Sequence, residues 1–267
     1  MGVLDWHRAW GAVAADALAN AVATLDLGPT ARILDLGAAI GLAWPALAAR
    51  GGQITAIELD ETLVEAGREE ARRLGVAQVQ ADVLAWLDHG DARFDLIWAG
   101  DVLWRNYFPD PRAVVQRLMT ALVPGGQLAV YTANWYSSRF LWTYPDLERR
   151  LLTANARRWA VPSDGDANHH EQALLWLSAA NAHDLTVALH PLVGHAGLPT
   201  WPAWRHYLET CVWPDYLAAA DRAETDRADH ARLQTLITPG SGRYLPASPG
   251  YVAFQPTLLA TGRRCSS

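Results

Sequence analysis

Short apolar segments alternating with helix-patterned segments through the first half of the chain predict an α/β protein built on a doubly wound, mostly parallel sheet. Two details sharpen that prediction. A loop of small residues, Gly37 to Gly41, directly follows the first apolar segment, and an acid, Glu58, closes the second. Sheets of this kind bind ligands outside the carboxyl ends of their strands, where both features fall.

Taken in order, residues 5 to 25 read as a helix with Leu18, Val22 and Leu25 on one side, closed by Gly28 and Pro29. Ile33 to Leu36 reads as the first strand, and the loop after it opens a helix that ends near Arg50, Gly51 and Gly52. Gln53 to Glu58 is the next strand, followed by a helix with Asp60 as N-cap and Gly75 as C-cap. Strand Val76 to Ala81 leads to a short helix around Leu84 to Leu87, and strand Phe94 to Ala99 follows. Asp110 and Pro111 start another helix, which Pro124, Gly125 and Gly126 stop before strand Gln127 to Thr132.

Beyond residue 134 the sequence turns helical and rich in tryptophan. It offers one strand at Leu185 to Leu189, another at Tyr251 to Ala260, and loops at Val161 to Ala167 and Pro239 to Pro249. Two helices are expected between Leu198 and Ile237. The organisation read from this is an N-terminal helix or lid over 1–29, a core over 30–134, a helical cap with a late strand over 135–250, and a final core strand with tail over 251–267.

Composition limits the chemistry. The 267 residues are 51% hydrophobic, and the Lys+Arg total of 22 is all arginine. With no lysine, a Schiff-base enzyme and a P-loop are both excluded. Cys211 and Cys265 stand far apart, without the spacing of a redox pair, a thiolate zinc site or a disulfide framework, so a reducing cytoplasm is expected. The longest weakly polar run, Leu36 to Ala49, is broken by Pro45 and is too short for a bilayer span, and no basic segment precedes an apolar one at the N-terminus. Residues 1–134 carry 16 acids against 10 arginines, whereas 135–267 carry 12 of each. Neither half has the basic stripe that binds nucleic acid, so the expected partner is a small molecule, with no nucleic acid and no membrane.

The chemistry-bearing pattern is the segment Ile33 to Gly41 followed by Glu58. An acid at that strand end can accept both hydroxyls of a ribose, and a glycine at the first turn lets backbone approach a ligand. A dinucleotide site would need GxGxxG, and only Gly37 fits that frame. Through Asp35, Gly37 and Gly41, then Glu58, Ala81-Asp82-Val83, the segment 94–104 and the segment 122–130, the chain resembles the class I S-adenosylmethionine-dependent methyltransferases. The match covers residues 30 to 134 best. It departs from the usual DxGxGxG pattern at Ala39.

The resemblance implies a seven-stranded sheet and S-adenosylmethionine as cofactor. It places Asp35, Gly37, Ala38 and Gly41 near the methionine moiety, Glu58 on the ribose, Leu59 against adenine, Asp82 and Val83 near the adenine amino group, and Ala99 beside Gly100 at the sulfonium. Asp101, Trp104 and Asn106 then fall at the reaction rim, and no NPPY tetrapeptide follows the fourth strand. Trp6, Trp10, Trp104 and Trp135 are expected to bind a hydrophobic or aromatic methyl acceptor. Seven of the nine histidines follow residue 134 without metal-ligand spacing, so no metal is expected. His170 and His195 are the candidate general bases, with Asp101 as the other catalytic candidate. O-, N-, C- and S-methylation stay open, as do two alternatives: a cofactor-binding protein that catalyses a cyclisation or an isomerisation, and a noncatalytic subunit with a partner face at Arg149, Arg150, Arg157 and Arg158.

Overall fold

The computed structural model describes residues 2–89, 93–159, 161, 166, 169–221 and 227–265. Along the chain they form α1 (Val3–Ala23), β1 (Arg32–Leu36), α2 (Trp44–Ala49), β2 (Gln53–Glu58), α3 (Glu61–Leu74), β3 (Ala77–Gln80), α4 (Val83–Asp88), β4 (Phe94–Gly100), α5 (Pro111–Ala121) and β5 (Leu122–Ala133). There follow α6 (Pro145–Arg158), α7 (Ala173–Ala179), β6 (His183–Leu189), β7 (Leu192–His195), α8 (Trp201–Tyr207), α9 (Trp213–Ala220), α10 (Arg227–Ile237), β8 (Val252–Gln255) and β9 (Thr257–Arg263). The chain divides into two compact units, one holding residues 15–133, 162–190 and 257–267, the other holding 1–14, 134–161 and 191–256.

The larger unit is a seven-stranded sheet in the order β3-β2-β1-β4-β5-β9-β6. The first five strands are mutually parallel, and β9 runs antiparallel to both β5 and β6. In β1 every residue but Arg32 is buried, as befits a central parallel strand covered on both faces. Capping explains the helix boundaries. Asp60 accepts the amides of Thr62 at 2.8 Å and Leu63 at 3.3 Å, and Gly75 ends α3 in the left-handed region at φ 70°. Asp82 caps α4 through Ala85 N–H, and Asp110 with Pro111 starts α5. Leu34, Leu36, Ile97, Val115, Leu118, Leu128 and Trp176 lie in one continuous core.

Two strand assignments differ from the sequence reading. β5 begins at Leu122, because Pro124-Gly125-Gly126 is a bulged interruption within the strand: the pairing with β4 shifts register between Phe94 and Leu96. The segment Tyr251 to Ala260 is two strands, since Pro256 has no N–H to continue a ladder. β9 joins the large sheet, while β8 pairs with β7 in a two-stranded antiparallel sheet of the smaller unit.

The rest of the smaller unit is helical. Among the described residues between Leu198 and Ile237, α8 runs on into α9 through a π-turn at Leu208–Val212, and α10 follows, so two helical stretches are present as expected. Pro214, the second residue of α9, supplies no amide to the carbonyl four residues earlier, and the wider turn takes up that break. Glu148 on α6 is fully buried and binds the unit together. Its Oε1 accepts the amides of Phe140 at 2.5 Å and Leu141 at 3.0 Å and the hydroxyl of Tyr216 at 3.0 Å. The stretch Pro239 to Pro249 is a loop with one 3₁₀ turn at Leu245–Ala247. Of the loop expected at Val161 to Ala167, only Val161 and Asp166 are among the described residues.

Candidate active site

Because β1 to β5 run parallel, their carboxyl ends share one edge of the sheet. The turn leaving β1 is built of residues that cannot be large. Gly37 has φ 60°, and a Cβ there would lie 2.4 Å from Val102 Cγ2. Ala38 N–H donates to Ile57 O at 3.0 Å and Gly41 N–H to Ala38 O at 2.8 Å, which folds the loop back onto β2. Ala39 takes the left-handed conformation at φ 47° that glycine usually fills, and its amide donates to Glu58 Oε2 at 2.8 Å.

Four carboxylates mark this edge. Asp35 is 3% exposed and accepts the Trp44 indole N–H on Oδ2 at 2.8 Å. Burial pushes its pKa up to about 7 against the opposing pull of that hydrogen bond, with the negative Glu58 adding to the rise. Glu58 ends β2, and its Oε1 accepts the amides of Leu59 at 2.8 Å and Asp60 at 2.9 Å. Leu59 itself is 65% exposed, an apolar face open to a flat ring. Asp82 follows β3 as the cap of α4, and Val83 beside it is buried.

The fourth carboxylate, Asp101, follows β4 at φ 53°, a rare conformation for a side-chain-bearing residue. Its amide donates to Tyr131 O at 2.7 Å, and its Oδ1 accepts Ala133 N–H at 3.0 Å and the Trp104 indole N–H at 3.1 Å. Burial raises its pKa to about 6, although both hydrogen bonds favour the ionised form. The Trp104 ring in turn stacks on His170, with centroids 4.2 Å apart and planes 21° from parallel. Asp101, Trp104 and His170 are thus brought together within the larger unit.

The two candidate histidines fall in different units. His170 is buried, and desolvation with the neighbouring His169 lowers its pKa to about 3, so it stays neutral and binds a proton weakly at working pH. His195 belongs to the smaller unit, where its Nδ1 accepts Gly197 N–H at 3.1 Å. Trp6, Trp10 and Trp135 also belong to the smaller unit. There Trp6 stacks on Trp10 at 6.0 Å and meets Trp135 at 5.9 Å, and Trp135 meets Tyr207 at 5.9 Å.

Sequence reasoning did not find Trp44, the partner of Asp35. Its one available signal was an indole three residues after Gly41, within reach of the strand it follows. Tyr107 was passed over as well. It is an exposed aromatic in the segment after Asp101. Nor does the sequence show that Asp101 adopts a positive φ, since aspartate is common in ordinary turns.

These features suit a cationic, ribose-bearing cofactor. A carboxylate closes β2, an exposed leucine lies next to it, and the turn beside them has no room for a side chain at Gly37. Comparison with known proteins agrees. The methyltransferase-domain family matches residues 34–130. A ubiquinone biosynthesis O-methyltransferase from Xylella fastidiosa strain M23 is 36% identical over 207 residues, which is 74% of this chain and 76% of that protein. A trans-aconitate 2-methyltransferase from Methylobacterium nodulans is 30% identical over 68% of this chain and 70% of its own length. A ubiquinone biosynthesis O-methyltransferase from Idiomarina loihiensis is 33% identical over 107 residues, and the match spans 42% of it. In fold, the YcgJ protein of Bacillus subtilis superposes with a TM-score of 0.57 at 16% identity, over 94% of this chain and 99% of that one. The relatives matched over more than two thirds of their length define a methyltransferase. The chain belongs to the class I S-adenosylmethionine-dependent methyltransferases, and S-adenosylmethionine is the cofactor that comes with this membership.

No described helix is long and apolar enough to cross a membrane. Among the described residues no cluster of His, Cys, Asp and Glu is arranged to hold a metal.

Proposed function

We propose that the larger unit binds S-adenosylmethionine along the carboxyl ends of β1 to β4 and that the protein O-methylates a small hydrophobic or aromatic molecule. The observation that carries this reading is the placement of Asp35, Glu58, Asp82 and Asp101 at or just beyond the ends of four adjacent parallel strands, around a loop with no room for a side chain at Gly37 or Gly41. That the Xylella and Idiomarina relatives are O-methyltransferases supports O-methylation. In the smaller unit Trp6 stacks on the buried Trp10 and meets Trp135 at a tilt, and the half-buried rings of Trp6 and Trp135 are of the kind that pack against flat apolar molecules.

The cofactor supplies an electrophilic methyl group on sulfur. The chain supplies position and proton handling. Asp35, Gly37, Ala38 and Gly41 would hold the methionine end, Glu58 the ribose, Leu59, Asp82 and Val83 the adenine, and Ala99 the neighbourhood of the reacting sulfur. Asp101 is ionised at neutral pH, and among the described residues its Oδ2 accepts no hydrogen bond. It is therefore the group assigned to take a proton from the acceptor hydroxyl. Trp104 fixes the other oxygen and offers its ring to the acceptor, with His170 keeping that ring in plane.

Isothermal titration with S-adenosylhomocysteine tests the cofactor half of this reading. Glu58→Ala should lose on the order of 2 to 3 kcal/mol of binding free energy, because two charge-assisted bonds to the ribose go with the carboxylate. Unchanged affinity in that variant would sink the assignment. The acceptor half is read as S-adenosylhomocysteine release against a panel of phenols and carboxylic acids. With S-adenosylmethionine saturating at every pH, turnover should decline as pH falls through about 6, where Asp101 becomes protonated, and Asp101→Asn should abolish that dependence.

A further inference from the structure

Between β1 and α2 the chain makes an arrangement that the proposed cofactor site does not use directly. Trp44 is the first residue of α2 and is completely buried. Its indole N–H ends on Asp35 Oδ2 at 2.8 Å. Its six-membered ring occupies the space that a side chain at Gly41 would need, since a Cβ there would fall 2.1 Å from Trp44 Cε3. Gly41 has φ 83°, so a glycine is required there twice over, by backbone conformation and by the presence of the indole. One tryptophan thereby joins the loop, the first strand and the carboxylate nearest the loop.

Asp35 has two oxygens with different surroundings. Oδ2 is bound by Trp44, while among the described residues Oδ1 accepts no hydrogen bond. We propose that Trp44 is a positioning residue for the cofactor: its indole fixes Oδ2 and the loop so that Asp35 offers Oδ1, as carboxylate, to the cofactor's cationic amino group. The proposal rests on the reading that the larger unit binds S-adenosylmethionine with Asp35 at the methionine end.

The electrostatics make the role measurable. Burial and the charge of Glu58 at the end of the neighbouring β2 both favour the protonated form of Asp35. Trp44 is the group that opposes them, because an N–H donor stabilises the ionised carboxylate. Residues paired with Asp35 across the sheet, Ala56 on β2 and Trp98 on β4, bring no charge to it. Affinity for an amino-bearing ligand should therefore rise with pH as Asp35 ionises. Removing the indole donor should move that rise to higher pH.

The test is calorimetric titration of the full chain with S-adenosylhomocysteine from pH 5.5 to 8.5, in wild type, Trp44→Phe and Asp35→Asn. Trp44→Phe keeps an aromatic ring but has no donor. It should weaken binding about tenfold at pH 7 and recover part of the loss at pH 8.5, with the midpoint of the profile displaced upward. Asp35→Asn should bind weakly with no profile over this range, and adding Trp44→Phe to it should cost little more. An equal loss at every pH would assign Trp44 to packing alone and overturn the proposal, as would a wild-type profile in Trp44→Phe. Should Trp44→Phe fail to fold, persistence of the wild-type profile in Asp35→Asn overturns it independently. Absence of binding by the wild type at all pH values would instead refute the cofactor reading on which the proposal stands.

Discussion

Asp35 shows how a functional carboxylate is held at the expense of stability. Its pKa in the folded chain, about 7, lies above the ordinary value of 3.8. A carboxyl raised in this way favours folding fully only below its unfolded pKa, and that contribution is lost as pH climbs through the folded one. The ligand-free protein should accordingly lose thermal stability between about pH 4 and pH 7, by a few kcal/mol at most. Asp35→Asn should flatten that part of the profile while impairing cofactor binding, which thermal melts in matched buffers would show. A wild-type melting temperature unchanged across this window would contradict the burial argument. At this scale the sequence was partly readable. Gly37, Gly41 and Glu58 could be found because the need for an uncrowded turn and for an acid at a strand end is written in residue type and spacing. Trp44 could not, because a hydrogen bond between residues nine apart depends on how the loop folds back, and neither could the positive φ of Ala39 or Asp101.

At the level of elements, legibility followed burial. The five parallel strands were evident because each is apolar and bounded by turn residues. β7 is four residues, Leu-Val-Gly-His, with only Leu192 and Gly194 buried, and it carries no strand signature of its own. The single long strand expected near the C-terminus was divided by one proline. α6 supplies a prediction of its own. The buried Glu148 carboxylate satisfies two backbone amides and the Tyr216 hydroxyl, and burial raises its pKa despite those bonds. Glu148→Ala leaves three buried donors without an acceptor, a loss of about 3 kcal/mol or more. Hydrogen exchange should speed up in the segments 134–161 and 191–256 and stay protected in β1 to β5. Uniform acceleration across both sets would mean that the two units do not unfold separately.

In the whole molecule, the path of the chain through the larger sheet has a consequence for modularity. β6 and β9 are neighbouring strands, paired at Leu189 and Leu258, and His190 N–H donates to Thr257 O at 2.9 Å while the Thr257 hydroxyl donates back to His190 O. Everything from Pro191 to Pro256 therefore leaves the larger unit and returns to it at a single hydrogen-bonded doorway. As far as that sheet is concerned, the excursion is a hairpin loop of arbitrary length, since closing a longer loop adds entropy only logarithmically. Replacing 191–256 by a four-residue glycine-serine turn should leave the seven-stranded sheet intact by circular dichroism and the S-adenosylhomocysteine affinity of the larger unit within about tenfold, while methyl transfer to the native acceptor disappears. A graft that retained no cofactor binding would show that the excursion is a structural part of the sheet and not a passenger on it.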